Sequence, residues 1–237
     1  MINKSVNNWL NSIQKKLLPP RCIFCSERGM ANLDICQACF LDLPRNQPCC
    51  ARCAQPLATT AIPSPLCGRC LKQLPHFDET RAPFLYNEQL RHLITQLKFN
   101  RHYVHARLLG GLLGKAMVDH GDLPECIIPV PLHPARYRER GFNQSLEIAR
   151  HLHHQLKVPL NFEACIRHRN TPHQIDLPAA QRVKNMKNAF SLIHRLEYAH
   201  IAIIDDVMTT GATASALALA LKQQGVKRVD VWVCARA

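Results

Sequence analysis

The sequence predicts an α/β protein with a mostly parallel sheet, preceded by a small cysteine-rich domain. Three observations predict it. Nine of the twelve cysteines crowd between Cys22 and Cys70. From about Arg81 onward, apolar runs of strand length alternate with amphipathic stretches of helical length. The 237 residues suffice for two domains, and 47% hydrophobic with 20% charged residues excludes wholesale disorder.

Residues 1–20 read as a short amphipathic helix. Val6, Trp9, Leu10, Ile13 and Leu17 recur at helical spacing, and Pro19-Pro20 stops it. Packing on its own protein is favoured over membrane attachment, because only Lys15 and Lys16 charge its second half. A cysteine-rich domain follows at 21–75 and the α/β domain at 81–237. Ala82–Tyr86 is a strand candidate, and Glu88–Leu97 and Tyr103–His120 read as helices. Cys126–Val130 is a compact strand, Asn143–Leu156 an amphipathic helix, and Leu160–Ile166 a weak strand. Pro178–Ala189 reads as a helix and His200–Ile204 as a buried strand. Ala212–Gln224 is a helix ended by Gly225, and Val229–Cys234 a final strand. No run approaches the ~20 apolar residues that span a bilayer, and no secretory leader is recognisable. A cytoplasmic protein with no membrane insertion is expected, in which clustered cysteines bind metal rather than form disulfides.

Only eleven of the 49 residues from Cys22 to Cys70 are Ile, Leu, Val, Met or aromatic. So thin a core needs a staple. Four CxxC pairs supply one: Cys22/Cys25, Cys36/Cys39, Cys50/Cys53 and Cys67/Cys70. Each pair presents two thiolates about one tetrahedral edge apart, so two pairs complete a Zn²⁺ shell and four make two shells. All thirteen histidines lie at or beyond His76, which makes both shells all-cysteine. Four thiolates leave no open position for water, so both zinc sites are structural. Sequential and interleaved pairings both satisfy the spacing. Cys49 is either a substitute for Cys50 or a spare thiol. Loss of either site is expected to leave the α/β domain folded.

The chain carries 30 Lys plus Arg against 17 Asp plus Glu, a formal +13, which favours phosphate-rich partners. The strand Ile201–Ile204 runs into Asp205-Asp206 and then Thr209-Thr210-Gly211-Ala212-Thr213, a hydroxyl-rich loop opening a helix. Backbone N–H groups at a helix start suit a phosphate, while adjacent acids suit the sugar hydroxyls beside it. Gly110–Ala116 is no competing P-loop: its glycine spacing is wrong, and Ala116 stands where a hydroxyl must bind Mg²⁺. It reads instead as a helix face made small for close packing.

The strand, acid pair and T-T-G-x-T loop resemble the phosphoribosyl diphosphate (PRPP) signature of type I phosphoribosyltransferases. That resemblance implies a sheet of the type I phosphoribosyltransferase kind. Asp205 and Asp206 become the catalytic acids, and Thr209, Thr210, Gly211, Ala212 and Thr213 hold PRPP, which brings Mg²⁺. It also makes Pro131, Leu132 and His133 the pyrophosphate loop, with Arg136 beside it. Arg136, Arg138 and Arg140 then form a basic loop interleaved with Tyr137 and Phe142, a composition suited to single-stranded DNA. A third basic stretch, Arg167–Gln174 continuing to Arg182, Lys184 and Lys187, reads as a cover over the diphosphate or as a surface loop.

Joined to a CxxC-rich segment, these motifs resemble the ComF family of bacterial competence proteins. Leu97-Lys98-Phe99, Pro129-Val130-Pro131, Arg140-Gly141-Phe142-Asn143-Gln144, Thr171-Pro172-His173-Gln174 and Arg182-Val183-Lys184-Asn185 fall in that family's order. The resemblance implies natural transformation and the handling of incoming single-stranded DNA, with a DNA-translocating helicase or competence channel protein as partner. An active transferase moving ribose 5-phosphate from PRPP to an acceptor is the alternative, and the sequence contains no acceptor motif that would decide it.

Overall fold

A computed structural model describes residues 19–30, 33–58, 65–119, 121–168 and 189–237. The expected helices at 1–20 and Pro178–Ala189, and the basic stretch from 169 to 188, lie wholly or almost wholly outside the described residues. The chain forms two compact units, Met1–Leu43 and Pro44–Ala237.

The described part of the first unit is a single ribbon. A bridge between Arg21 and Arg28 closes the Cys22–Cys25 turn. Helix α1 (Gln37–Leu41) then starts at Cys36, whose sulfur caps it by accepting the Cys39 N–H.

In the second unit, helix α2 (Gly68–Lys72) begins at Cys67. Strands β1 (Glu79–Arg81), β2 (Phe84–Leu85), β3 (Cys126–Pro129), β6 (His200–Met208) and β7 (Arg228–Arg236) form one parallel sheet. Its order is β1-β7-β6-β3, with β2 continuing beside β7. A separate antiparallel pair joins β4 (Cys165–Arg167) to β5 (Phe190–Leu192). Helices α3 (Glu88–Asn100), α4 (Tyr103–Val118), α6 (Gln144–Leu156) and α7 (Ala212–Gln223) cover the sheet, and the short α5 (Pro134–Arg140) follows β3.

The apolar runs are the buried centre. Ile201, Ala202, Ile203 and Ile204 are fully buried, as are Val229, Val231 and Trp232 beside them. Both faces of a parallel sheet are covered, which is why these strands read as continuous hydrophobic runs. Gly110 and Gly114 let α4 press on α6: a Cβ on Gly110 would lie 2.7 Å from His151 Cβ, and one on Gly114 would strike Gln155. The small-residue packing face is as expected. Cys126, Cys165 and Cys234, which sit in or beside apolar strand-like runs, are buried core thiols.

Several expectations are corrected. The strand expected at Ala82–Tyr86 is shorter, only Phe84–Leu85, and a further strand, Glu79–Arg81, precedes it; Pro83, with no N–H to give the ladder, lies in the break between them. β6 runs through the acid pair to Met208, since β7 pairs with it as far as Arg236. Of Leu160–Ile166, only Cys165 and Ile166 are in a strand, which runs on to Arg167, and its partner β5 was not foreseen. The basic loop Arg136–Arg140 is helix α5, capped by His133 and closed by Gly141 at φ +83°. His105 is buried and stacked against His102, although the histidine pair His102 and His105 reads in the sequence as a solvated helix face.

Candidate functional site

In each four-cysteine set the sulfurs lie within 4.8 Å of one another: Cys22, Cys25, Cys36 and Cys39 in one, Cys50, Cys53, Cys67 and Cys70 in the other. This resolves the pairing as sequential and leaves Cys49 outside, paired through its backbone with Pro56. The donor sets fit Zn²⁺. Four sulfurs converge in each, and N–H groups point at two of them, Cys39 N to Cys36 Sγ at 3.4 Å and Cys67 N to Cys50 Sγ at 3.3 Å. The sites differ in burial. All four cysteines of the second set belong to the same apolar cluster as Phe77, Ile203, Met208, Leu217 and Val231. Metal analysis is therefore expected to find about two zinc ions per chain. Cys36→Ser should lose one ion and leave the α/β melting transition in place. Cys67→Ser should lose the other and lower that transition, contrary to what spacing alone suggests. Calorimetry beside metal analysis checks both.

The acid pair sits where β3 and β6 end together. Val130 N donates to Ile204 O at 2.9 Å, so Pro131–His133 leave the sheet beside Asp205. Asn143 starts α6 by accepting from Ser145 N and donates to Val130 O, both at 3.0 Å, which fixes the helix to the end of β3. From that first turn Ser145 Oγ donates to Asp205 Oδ1 at 2.8 Å and Gln144 Nε2 to Asp206 Oδ1 at 3.3 Å. Lys98, from the last turn of α3, ion-pairs with Asp206, which is 3% exposed.

The two carboxylates are thereby driven apart. Burial, and then the charge of Asp206, push Asp205 up to about 7. Burial would raise Asp206 too, but the Lys98 ammonium and its hydrogen bond hold it below the usual carboxylate range. Past Met208 the chain turns through Thr209 and Thr210 into Gly211, whose φ of +77° opens α7. Thr210 Oγ1 accepts from Ala212 N at 3.3 Å, and Thr213 lies in the first turn. The expected phosphate residues and both acids are thus contiguous, at the carboxyl ends of parallel strands, where such sheets bind ligands.

A family model described as "Double zinc ribbon domain" matches residues 13–71. Competence protein F of Haemophilus influenzae is 36% identical over 228 residues, covering 92% of this chain and 97% of that protein. DNA utilization protein YhgH of Escherichia coli K12 is 33% identical over 225 residues, covering 92% and 98%. The chain belongs to the ComF family. Competence protein ComFC of Streptococcus pneumoniae is a more distant ComF relative, 24% identical over 160 residues, covering 66% and 67%. Among solved structures, a purine phosphoribosyltransferase from Pyrococcus horikoshii Ot3 aligns with 54% of this chain and 70% of its own, at 18% identity and a TM-score of 0.33. So loose a likeness says nothing of a ligand.

In this ComF chain a hollow of about 130 Å³ opens next to the acid pair, lined by Lys98, Phe99, Arg101, Arg136, Glu139 and Arg140. A polar chain links it to the acids: Arg140 donates to Gln144 Oε1 at 2.5 Å, and Gln144 in turn holds Asp206. Arg136 pairs with Glu139 at 2.9 Å. Arg138 and Tyr137 are exposed, Tyr137 at 50%. Phe142 is corrected: it is 4% exposed and packs against Tyr103 with ring centres 5.2 Å apart, so it offers no face to a base. Phe99 is instead exposed, at 63%, with Arg140 5.9 Å above its ring.

Lys98, Phe99, Arg101, Gln144 and Ser145 are residues for which sequence reasoning assigned no role. The signal for the first three was faint. A helix whose apolar positions end at Leu97, followed by a cation and an aromatic just before the left-handed Arg101, puts both at a helix terminus. No helix among the described residues is long and apolar enough to cross a membrane.

Proposed function

We propose that this chain handles single-stranded DNA in DNA uptake, a reading in keeping with relatives named for competence and DNA utilization, and holds a ribose phosphate of the PRPP type beside the strand. The observation that carries this is the hollow lined by four cations, Lys98, Arg101, Arg136 and Arg140, with Glu139 and the exposed Phe99, beside the Asp205–Asp206 pair that Lys98 meets; exposed Tyr137 lies on the same short helix as Arg136 and Arg140. Cations neutralise backbone phosphates, and exposed rings stack on bases of any sequence. The acids face sugar hydroxyls, and Thr209–Thr213 offers N–H groups and hydroxyls to the 5-phosphate. Mg²⁺ carried in with PRPP would share the diphosphate charge with Arg136 and Arg140. The reading places the protein in the cytoplasm, with a translocating helicase or competence channel protein delivering the strand.

Active ribose 5-phosphate transfer is the second reading, supported by the acids standing beside Pro131–His133. There Asp205 and Asp206 would stabilise positive charge building on the sugar as pyrophosphate leaves. Fluorescence anisotropy of a labelled oligonucleotide across a salt series tests the first reading. Affinity should fall by roughly 0.7 log units per decade of salt for each contacted phosphate. Arg136→Ala, Arg138→Ala and Arg140→Ala together should flatten that slope. Phe99→Ala should weaken binding by about 1–3 kcal/mol at unchanged slope. Absent binding at low salt, with pyrophosphate released on adding an acceptor, would place the transferase reading first.

A further inference from the structure

We propose that Arg236 is a positioning residue that ties the second four-cysteine site to the loop Thr209–Thr213. Its part as a phosphate loop rests on the reading above; the tie itself does not. Arg236 ends β7 and is 2% exposed. Its side chain spans the end of β6. Nε donates to Cys53 O at 3.0 Å, one terminal nitrogen to Gln55 Oε1 at 2.6 Å, and the other to Met208 O at 3.0 Å. One guanidinium therefore grips the cysteine turn and the last residue of the strand from which the loop hangs.

The cysteine turn is itself closed around the site. Cys50 N donates to Gln55 O at 2.8 Å and Ala54 N to Cys50 O at 2.9 Å. The carbonyl and amide that Arg236 reads are thus set by the turn that presents Cys50 and Cys53. Among the described residues no Asp or Glu pairs with this buried guanidinium. Four thiolates around one Zn²⁺ carry a net charge of about −2, so the filled site is also its counter-charge.

The far side of the loop is held from the same direction. Phe77 follows the cysteine segment and lies 3.6 Å from where a Cβ on Gly211 would stand, with Met208 Sδ at 3.4 Å. His76 N donates to Ser215 Oγ, in the first turn of α7, at 3.1 Å. Strand end and helix start are both braced by what joins the second cysteine site to the sheet. The segment between them is the one that the reading above gives to a phosphate, and its order depends on a centre that performs no chemistry.

Hydrogen exchange of the full zinc-loaded chain, read by mass spectrometry, tests this. In Arg236→Met the zinc content should stay at that of the parent. Peptides across residues 205–215 should exchange about tenfold faster, while β3 keeps its protection. Cys70→Ser should give the same loop signature, and Cys39→Ser, in the other unit, should not. Gln55→Ala removes one of the four acceptors of Arg236, which are Cys53 O, Gln55 Oε1, Met208 O and Ala237 O, and should move the loop in the same direction by a smaller factor. If Arg236→Met fails to fold, Gln55→Ala decides. Unchanged loop exchange in Gln55→Ala, or equal acceleration by Cys39→Ser, overturns the tie. Adding PRPP to the parent separates the two ideas. If Arg236→Met loosens the loop but PRPP protects nothing in the parent, the tie stands and the phosphate reading falls.

Discussion

Lys98→Met is expected to cost the folded protein about 3–5 kcal/mol, the usual penalty for leaving one partner of a buried ion pair behind. In a chain of this size that lowers Tm by about 6–20 °C. Asp206 is 3% exposed and would be left without a cation, keeping Gln144 and the neighbouring Asp205 as side-chain partners. The loss should depend on pH in a definite sense. In the parent, Asp206 titrates below its ordinary range, so its pairing stabilises the fold above about pH 4, and that stability is lost as the pH falls further. The variant removes the cause, so its deficit should be greatest near neutral pH and shrink in acid, where Asp206 takes up a proton. Adding Asp206→Asn should restore more than half of the loss, a coupling that a double-mutant cycle measures. A deficit under about 1 kcal/mol, or one independent of pH, would mean that water solvates the pair.

Asp205→Asn should do the opposite: stabilise the free protein and abolish ligand binding. The folded carboxyl titrates near 7 against an ordinary 3.8, so between those values the native state holds a proton that the unfolded chain has released. Stability therefore falls as pH rises through that window. A pKa displaced by one corresponds to about 1.4 kcal/mol, so removing the charge should gain on the order of a few kcal/mol at pH 8. Asn keeps an oxygen for Ser145 Oγ and Asp206 N, so the native hydrogen bonds survive. The Tm difference from the parent should grow from pH 5 to pH 8 and vanish below about pH 4. Any rise in Tm that PRPP gives the parent should be lost with the sugar-hydroxyl acceptor. Equal pH profiles for parent and variant would sink this account.

How much of this was legible in the sequence varied with the range of the forces involved. Ile201–Ile204 and Val229–Cys234 were readable because strands buried on both faces announce themselves by composition alone. The zinc ligands were readable because CxxC encodes a local geometry, but their pairing was not, since equal spacings permit two topologies. Helix α5 could have been read: Pro134 at its start and Gly141 at its end are punctuation for a short helix. The arginines drew attention to charge instead. Phe142 was misjudged because its burial comes from Tyr103, some forty residues earlier, and no local pattern contains that. The Lys98–Asp206 pair joins residues over a hundred positions apart, and the sequence shows no complementarity between them.

The position of β7 has a consequence for how the chain is made. It lies between β6 on one side and β1 with β2 on the other, so nothing else in the sheet can take its place. About 150 residues of chain separate β1 from β7, and synthesis at about 5–20 residues per second spans that gap in ~8–30 s. Throughout that interval β1 and β2 lack their partner, and over its last part, once β6 has been made, the apolar run at Ile201–Ile204 also lacks its neighbour. Nascent ribosome-bound chains should therefore engage chaperones until Arg228–Arg236 emerges, and ones stalled before that point should be sensitive to protease throughout the sheet.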